Sequence, residues 1–333
     1  MGIWVMKMES PPLRADVSAI SSSLADQPLD GGNRRRNRGS LGFAMTEAET
    51  RDLIDLIYRQ SGIVLTPSKK SLISSRLHKR LKILGLGSFR DYLDYLRHAP
   101  QRHAEMVAMI DEITTNKTAF FREHHHFEFL TSKLLPSLAM SQWSTLNIWS
   151  AGCSTGEEPY SLAMVLAEYF GTAASFNILA TDLSTQALHT ARQAVYPNDL
   201  GSPIPLSLRQ KYTMSGRGSQ AGRFRIVPEL RERVTFKQVN LIDGDWDIPG
   251  EMNIIFCRNV MIYFDKKTRS GLVSSFQRKL KDSGVLFIGH SESLGDLDHE
   301  FTQVQPTIYT HTKQGPEWLA KKSKFLSSTT QPS

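Results

Sequence analysis

Two patterns of apolar and polar positions divide this chain. From Thr46 to about residue 112 apolar residues recur at helical spacing, whereas beyond Asn147 they gather into short runs separated by helical stretches. Thr46-x-x-Glu49 reads as a capping box ahead of Leu53, Ile54, Leu56 and Ile57. Lys69 to Leu84 places Leu77, Leu81 and Leu84 on one face, and Ser88-x-x-Asp91 opens a further helix carrying Tyr92, Leu93, Tyr95 and Leu96. No strand pattern interrupts them, so residues 45–112 are expected to form a small all-helical domain.

The second half alternates strand with helix. Ile148, Phe176 to Ala180, Val234 to Val239, Asn253 to Cys257 and Val285 to Ile288 read as strands, and such an alternation requires a parallel α/β sheet of Rossmann-like type. Pro197 to Leu230 breaks the rhythm with Pro, Gly and Ser and with short runs such as Phe224 to Val227, which predicts a small antiparallel β-insertion over about residues 197–231. The organisation expected is a tail over 1–44, the helical domain over 45–112, the α/β domain over 113–312 and a second tail over 313–333. Arg34, Arg35, Arg36 and Arg38 make the first tail basic; its lack of hydrophobic periodicity predicts disorder, and Met45 is a candidate start.

Composition narrows the class. The 333 residues are 40% hydrophobic and 22% charged, ordinary for a globular chain, and no run of eighteen apolar residues is present. Direct membrane insertion is therefore not expected. Cys153 and Cys257 end predicted buried strands without metal-ligand spacing, which suits free thiols in a reducing cytoplasm. The net charge of +7 suits nucleic acid, an anionic membrane surface or an acidic protein equally. Lys69, Lys70, Arg76, Lys79, Arg80 and Lys82 concentrate it on one helix, which is either a solvated face or a surface for an acidic partner. No aromatic residues interleave that cluster, which argues against a stacking surface for single-stranded nucleic acid. The triplet His124, His125 and His126 does not predict a metal site, because adjacent helical residues point about 100° apart.

The richest stretch runs from Asn147 to Leu188. A strand ends at Gly152 and Gly156, which let the backbone turn tightly and approach a ligand. The next strand ends at Asp182, roughly twenty to thirty residues after the glycines, where a carboxylate reaches a ribose hydroxyl pair. Gly-x-x-x-Gly is not the dinucleotide spacing, and Glu157 and Glu158 occupy the helix start where a phosphate would want positive charge. The two acids either favour the helix N-terminus or face a cationic ligand. S-adenosylmethionine, with a sulfonium, an ammonium and no phosphate, fits the second case.

Five blocks carry a resemblance to a known family. They are Thr114-Thr-Asn-Lys-Thr-Ala-Phe-Phe-Arg-Glu123, Ser150-Ala-Gly-Cys-Ser-Thr-Gly-Glu-Glu-Pro-Tyr-Ser161, Ala180-Thr-Asp-Leu-Ser184, Phe256-Cys-Arg-Asn-Val-Met-Ile-Tyr-Phe-Asp265 and Gly289-His-Ser-Glu-Ser-Leu294. In this order, over roughly residues 45 to 312, the chain resembles the CheR-type chemotaxis receptor methyltransferases. The resemblance implies a protein-glutamate O-methyltransferase that uses S-adenosylmethionine, releases S-adenosylhomocysteine and modifies the cytoplasmic helices of methyl-accepting chemotaxis receptors. It implies cofactor contacts from Asn116, Thr118, Arg122, Glu157, Asp182, Asn240, Leu241, Arg258 and Asn259, with Tyr263 nearest the transferred methyl. It further implies a cytoplasmic protein recruited to membrane-bound receptor arrays, a basic helix facing the receptor, and in some members a receptor C-terminal peptide paired to the β-insertion. Relatives carry an arginine after the Arg122 segment where this chain has Leu134 and Leu135, with Lys133 nearest; Lys133 cannot supply the same bidentate fork.

Three function classes follow from these residues. The first is glutamate methylation; the second is a methyltransferase of the same sheet acting on a small molecule or nucleic acid; the third is an inactive cofactor-binding module. Intact Glu157, Asp182 and Tyr263 speak against the third.

Overall fold

The computed structural model describes residues 4–6, 44–139, 145–171, 175–248 and 250–311. Most of the segment read as a basic tail, and the C-terminal tail, therefore lie outside the described residues. One piece does not. Trp4–Met6 form a strand, β1, whose place is given below.

The helical domain forms as its pattern dictates. In α1 (Glu47–Ser61) the Thr46 N–H donates to Glu49 Oε2 at 2.7 Å while the Glu49 N–H donates to Thr46 Oγ1 at 3.2 Å, and Gly62 ends the helix in the left-handed region at φ 71°. A tight turn over Pro67–Lys69 leads into α2 (Lys70–Leu84), which buries Ile73, Leu77 and Leu81; Leu84, expected on that face, is only partly covered. Ser88 caps α3 (Phe89–His98), and α4 (Arg102–Ile113) closes the domain. Inside it, Glu105 accepts from Arg80 Nε at 2.9 Å and from the Tyr92 hydroxyl at 2.8 Å, so this buried carboxylate is both paired and hydrogen-bonded.

After a linker, α5 (His124–Phe129), a π-turn over Leu130–Leu134 and α6 (Leu135–Ala139) lie against the sheet. The α/β domain then runs β2 (Leu146–Ala151), α7 (Glu157–Phe170), β3 (Phe176–Asp182) and α8 (Thr185–Gln193). The insertion contains β4 (Val195–Pro197), α9 (Leu206–Tyr212), β5 (Thr213–Gly216), β6 (Arg223–Ile226) and α10 (Pro228–Arg231). The domain resumes with β7 (Val234–Gln238), β8 (Met252–Cys257), α11 (Lys266–Lys279), β9 (Leu280–Ile288), β10 (Thr302–Gln305) and β11 (Ile308–His311).

The seven-stranded sheet has the order β10-β11-β9-β8-β2-β3-β7, parallel except for the β10–β11 hairpin. All five sequence-predicted strands of the sheet are present. The strand order reverses beside β2, and the carboxyl ends of β2, β3 and β8 meet there, which is where a ligand crevice forms in such sheets. One face packs Phe256 and Phe287 against Phe127 of α5 and against α7, and the other packs Trp149, Trp246 and Phe276. The insertion is a separate antiparallel sheet of order β1-β5-β6-β4, so residues 4–6 pair with the outer side of β5.

Candidate active site

The turn from Ala151 to Gly156 sets the floor of the crevice. Gly152 sits at φ 86°, and a Cβ there would run into the Val260 side chain; Gly156 sits at φ 97° with Ala191 Cβ 2.9 Å from where its own Cβ would lie. The N–H groups of Gly152 and Cys153 both donate to Thr181 O at 2.8 Å. Ser154 N–H donates to Asp182 Oδ2 at 2.8 Å, and Ser184 N–H to Asp182 Oδ1 at 2.9 Å. The amides of Gly152, Cys153 and Ser154 are thus spent on β3 and on Asp182.

Asp182 is correspondingly well held. Burial pushes its carboxyl up, while the backbone N–H groups of Ser184 and Ser154 pull against that rise. Each oxygen keeps a lone pair beyond its backbone bond, and Asp182 lines the cleft.

The adjacent acids of α7 diverge. Glu157 is buried, accepts from Thr155 Oγ1 at 2.7 Å, and has its carboxyl raised by burial. It does not line the cleft. Glu158 does, and it accepts from Ser150 Oγ at 2.6 Å and from Arg258 Nε at 2.8 Å. Arg258 also donates to Arg122 O at 2.7 Å and to His126 Nδ1 at 3.0 Å, so one buried guanidinium ties the linker, α5 and α7 to the end of β8. Because guanidinium N–H groups only donate, His126 Nδ1 accepts and its Nε2–H faces Thr307 Oγ1 at 2.8 Å. Burial, then Arg258, pushes the imidazole down to about 3, leaving it neutral.

The linker supplies the opposite wall. Asn116 Nδ2 reaches Ser184 Oγ at 3.4 Å, Arg122 donates to Lys117 O at 3.0 Å, and Thr118 lies between them along the cleft. Arg76 of α2 fastens this segment by donating to the carbonyls of Ile113 and Thr114 and, at 3.1 Å, to Thr115 Oγ1. Asn240 donates to Gln60 O at 2.9 Å and, with Leu241, forms the far end of the cleft.

Tyr263 stands at the mouth, 37% exposed. Its loop is buttressed by buried Glu292, whose carboxylate accepts the N–H groups of Asn259 at 2.9 Å and Ile262 at 3.3 Å. Sequence reasoning gave Glu292 no role; the match of Gly289 to Leu294 was its signal. The helical domain holds the same loop from the other side. Val64 N–H donates to Tyr263 O at 2.8 Å, Ile63 bridges Phe264, and the Tyr58 hydroxyl donates to Asp265 Oδ2 at 2.7 Å.

The cavity enclosed measures about 390 Å³, within the ~300–1,000 Å³ range of small-molecule sites. Of the ten residues named from sequence, Asn116, Thr118, Arg122, Asp182, Asn240, Leu241, Arg258, Asn259 and Tyr263 line it; Glu157 does not, and Glu158 takes its place. Sequence reasoning also missed the helical domain's share, namely Val64, Leu65, Lys69, Leu72 and Arg76. Leu134 and Leu135 are buried in the core and Lys133 lies exposed outside the cleft lining, so none of the three replaces the expected arginine there.

The histidine triplet needs a correction in geometry. Glu123, at φ 58°, brings its carboxylate beside His125 and His126, and ligand atoms of all three lie within 4.8 Å of one another. His126 Nδ1 nevertheless faces an Arg258 N–H, so a cation placed there would meet a guanidinium. Cys153 and Cys257 are buried free thiols whose pKa burial pushes up, which makes them unreactive.

The cleft therefore gathers two acids, Glu158 and Asp182, and two arginines, Arg122 and Arg258, around one cavity. Comparison with known proteins shows the family. Residues 48–114 match the all-alpha domain of CheR methyltransferase, and residues 116–310 match its SAM binding domain. Chemotaxis protein methyltransferase 2 of Pseudomonas aeruginosa is 42% identical over 276 residues, covering 82% of this chain and 96% of its own. The chemotaxis protein methyltransferases of Salmonella typhimurium, 42% identical over 273 residues, and Escherichia coli, 40% over 272, each cover 81% of this chain, and 92% and 93% of their own lengths.

Proposed function

The chain belongs to the CheR methyltransferase family, whose members use S-adenosylmethionine in chemotaxis, and from that premise we propose that it esterifies glutamate γ-carboxylates on the cytoplasmic helices of methyl-accepting chemotaxis receptors. The reaction class is protein-glutamate O-methyl transfer. The observation that carries the reading is one cleft lined from both domains, with Glu158, Asp182, Arg122 and Lys69 around it and the exposed Tyr263 beside them.

The cofactor, when bound, supplies an electrophilic methyl group on a sulfonium. Asp182, fixed by two backbone N–H groups, would take the ribose hydroxyls, and Arg122 with Asn116 and Thr118 would hold the methionine end. Asn240 and Leu241 would bound the adenine. Arg258 carries over from the family as a cofactor residue; its Nε and Nη1 engage Glu158, Arg122 O and His126 and so fix the walls of the cleft that it also lines. Asn259, at φ 59°, places the loop that carries Tyr263.

A glutamate side chain is ionised near neutral pH and needs no base to become a nucleophile. What the protein has to supply is position and exclusion of water. Tyr263 would orient the incoming carboxylate, and exposed Lys69 at the same cleft would steer it. On α2 the remaining charge is mostly spent internally: Lys70 pairs Glu47, Lys79 pairs Glu112, Arg80 pairs Glu105, and Arg76 clamps the linker. Among the described residues no helix is long and apolar enough to cross a membrane. The protein would meet its substrate as a cytoplasmic partner of receptor arrays.

Incubation with receptor-bearing membranes and cofactor, followed by peptide mass spectrometry, tests the assignment. The added mass of one methylene on glutamyl side chains is expected. Addition only to lysine, arginine or nucleic acid would remove the proposal.

A further inference from the structure

Arg122, the cleft cation that would hold the methionine end of the cofactor, stands between two residues of uncommon backbone. Phe121 lies at φ 53° and Glu123 at φ 58°, left-handed conformations that a residue with a Cβ keeps only where its surroundings enforce them. For Phe121 the core does so: its side chain is buried and its N–H donates to Ser161 Oγ at 3.0 Å. For Glu123 the carboxylate does. It lines no part of the cleft, yet its Oε1 accepts from the His290 N–H at 3.2 Å, from His290 Nδ1–H at 2.8 Å and from Asn259 Nδ2 at 3.3 Å. We propose that Glu123 is a positioning residue for the methyl donor: its carboxylate pins the turn that presents Arg122 to the loops after β8 and β9, and so sets where the arginine meets the cofactor's own carboxylate.

The surroundings call for an anion in this place. Only 8% of the Glu123 side chain is exposed, and its Oε2 is buried without a hydrogen-bond partner, 3.4 Å from His126 Nδ1 and 3.9 Å from Arg258 Nη1. His126 Nδ1 already accepts from Arg258 and has no proton to offer, so the charge of the guanidinium is what holds Oε2. Burial pushes the carboxyl up, but the hydrogen bonds from His290 and the charge of Arg258 outweigh it and hold Glu123 below the usual carboxylate range. Gly289 completes the arrangement. A Cβ there would lie 2.5 Å from Asn259 Nδ2, so the loop after β9 closes on Asn259 only because this residue is glycine.

The consequence is selective for one end of the ligand. Asp182 is fixed by Ser154 and Ser184, and Asn240 by Gln60, none of which touches Glu123. The nucleoside end of the cleft therefore keeps its shape when Glu123 is changed. Arg122 does not: apart from its own bond to Lys117 O, its turn is held by Arg258 at the carbonyl and by Glu123 one residue on. Loosening that turn should cost a ligand that carries a carboxylate and spare one that lacks it.

This role deepens the proposed function and rests on its placing of the cofactor's methionine end at Arg122. Calorimetric titration of the full chain with S-adenosylhomocysteine, and with methylthioadenosine, which keeps the nucleoside and the sulfur but lacks the amino-acid end, reads the two ends apart. Glu123→Asn leaves the backbone conformation open, because asparagine tolerates the left-handed region, while its side chain is a methylene shorter and uncharged. Its affinity for S-adenosylhomocysteine should fall about tenfold, with methylthioadenosine changed by less than about twofold. His290→Ala, at an exposed side chain, should show the same selectivity at roughly threefold, and it decides alone if Glu123→Asn does not fold. In an Arg122→Ala background, Glu123→Asn should add no further selective loss. Equal losses of both ligands, or unchanged S-adenosylhomocysteine affinity, would overturn the proposal while leaving the assignment of Arg122 in place. An Arg122→Ala protein that does not discriminate between the two ligands would overturn that assignment and the role of Glu123 with it.

Discussion

Asp182 concentrates the binding logic of the cleft in one side chain. Its oxygens are pre-set by Ser154 and Ser184 before any ligand arrives. Asp182→Ala should weaken S-adenosylhomocysteine binding by about 1–3 kcal/mol, the cost of a lost buried hydrogen-bonding group, and calorimetric titration would read it. Its place was legible because a carboxylate at the end of the second strand has a fixed address in this sheet. Glu157 was not separable from Glu158 in the sequence, since successive helical residues differ by about 100° and only the direction of α7 decides which one meets Arg258. The histidines were misjudged in the same way: the triplet hides one buried member whose partners, Arg258 and Thr307, are remote in sequence. His126 also makes a pH prediction. The folded state holds it near 3 while an unfolded histidine titrates near 6.5, so protons bind the unfolded chain first as the pH falls between those values. Stability contributed by neutral His126 is full above 6.5 and is lost progressively toward 3. Denaturant midpoints measured across that window should fall more steeply for the wild type than for His126→Gln.

Loops between elements explain how two domains make one catalytic surface. The turn after α1 does not merely end a helix: Val64 bonds Tyr263, Ile63 bridges Phe264, and Tyr58 bonds the residue that caps α11. Tyr58→Phe should therefore lower kcat several-fold while leaving cofactor affinity unchanged, seen by steady-state kinetics beside calorimetry. Equal loss of both would assign Tyr58 a general structural role. The capping box of α1, the periodic helices and the five parallel strands were readable because each obeys a local rule. The hairpin β10–β11 was not, because Thr302–Gln305 is mostly exposed and polar and gains its strand form from pairing with β11. β1 escaped notice because a run this short forms a strand only through the β5 edge. Leu134 and Leu135 show the converse: their burial is dictated by the π-turn and core, leaving no room for a charged residue in either place.

At the scale of the molecule, charge is distributed by use. Most cations of α2 serve the helical domain itself, and Lys69, in the turn just ahead of it, is exposed at the cleft. Lys69→Glu should raise the receptor KM several-fold with little change in cofactor affinity, an effect that weakens in high salt. The family resemblance made the architecture, cofactor and most cleft residues legible before any fold was seen. What it could not convey was that the helical domain walls the same cavity, since that depends on contacts such as Asn240 with Gln60 and Arg76 with the linker. The account as a whole turns on the bond formed in the product. Receptor methylated with isotopically labelled cofactor should release volatile labelled methanol on mild base treatment, because esters hydrolyse and N-methyl groups do not. Label that stays with the protein through base would contradict carboxylate methylation and the roles assigned here to Tyr263 and Lys69.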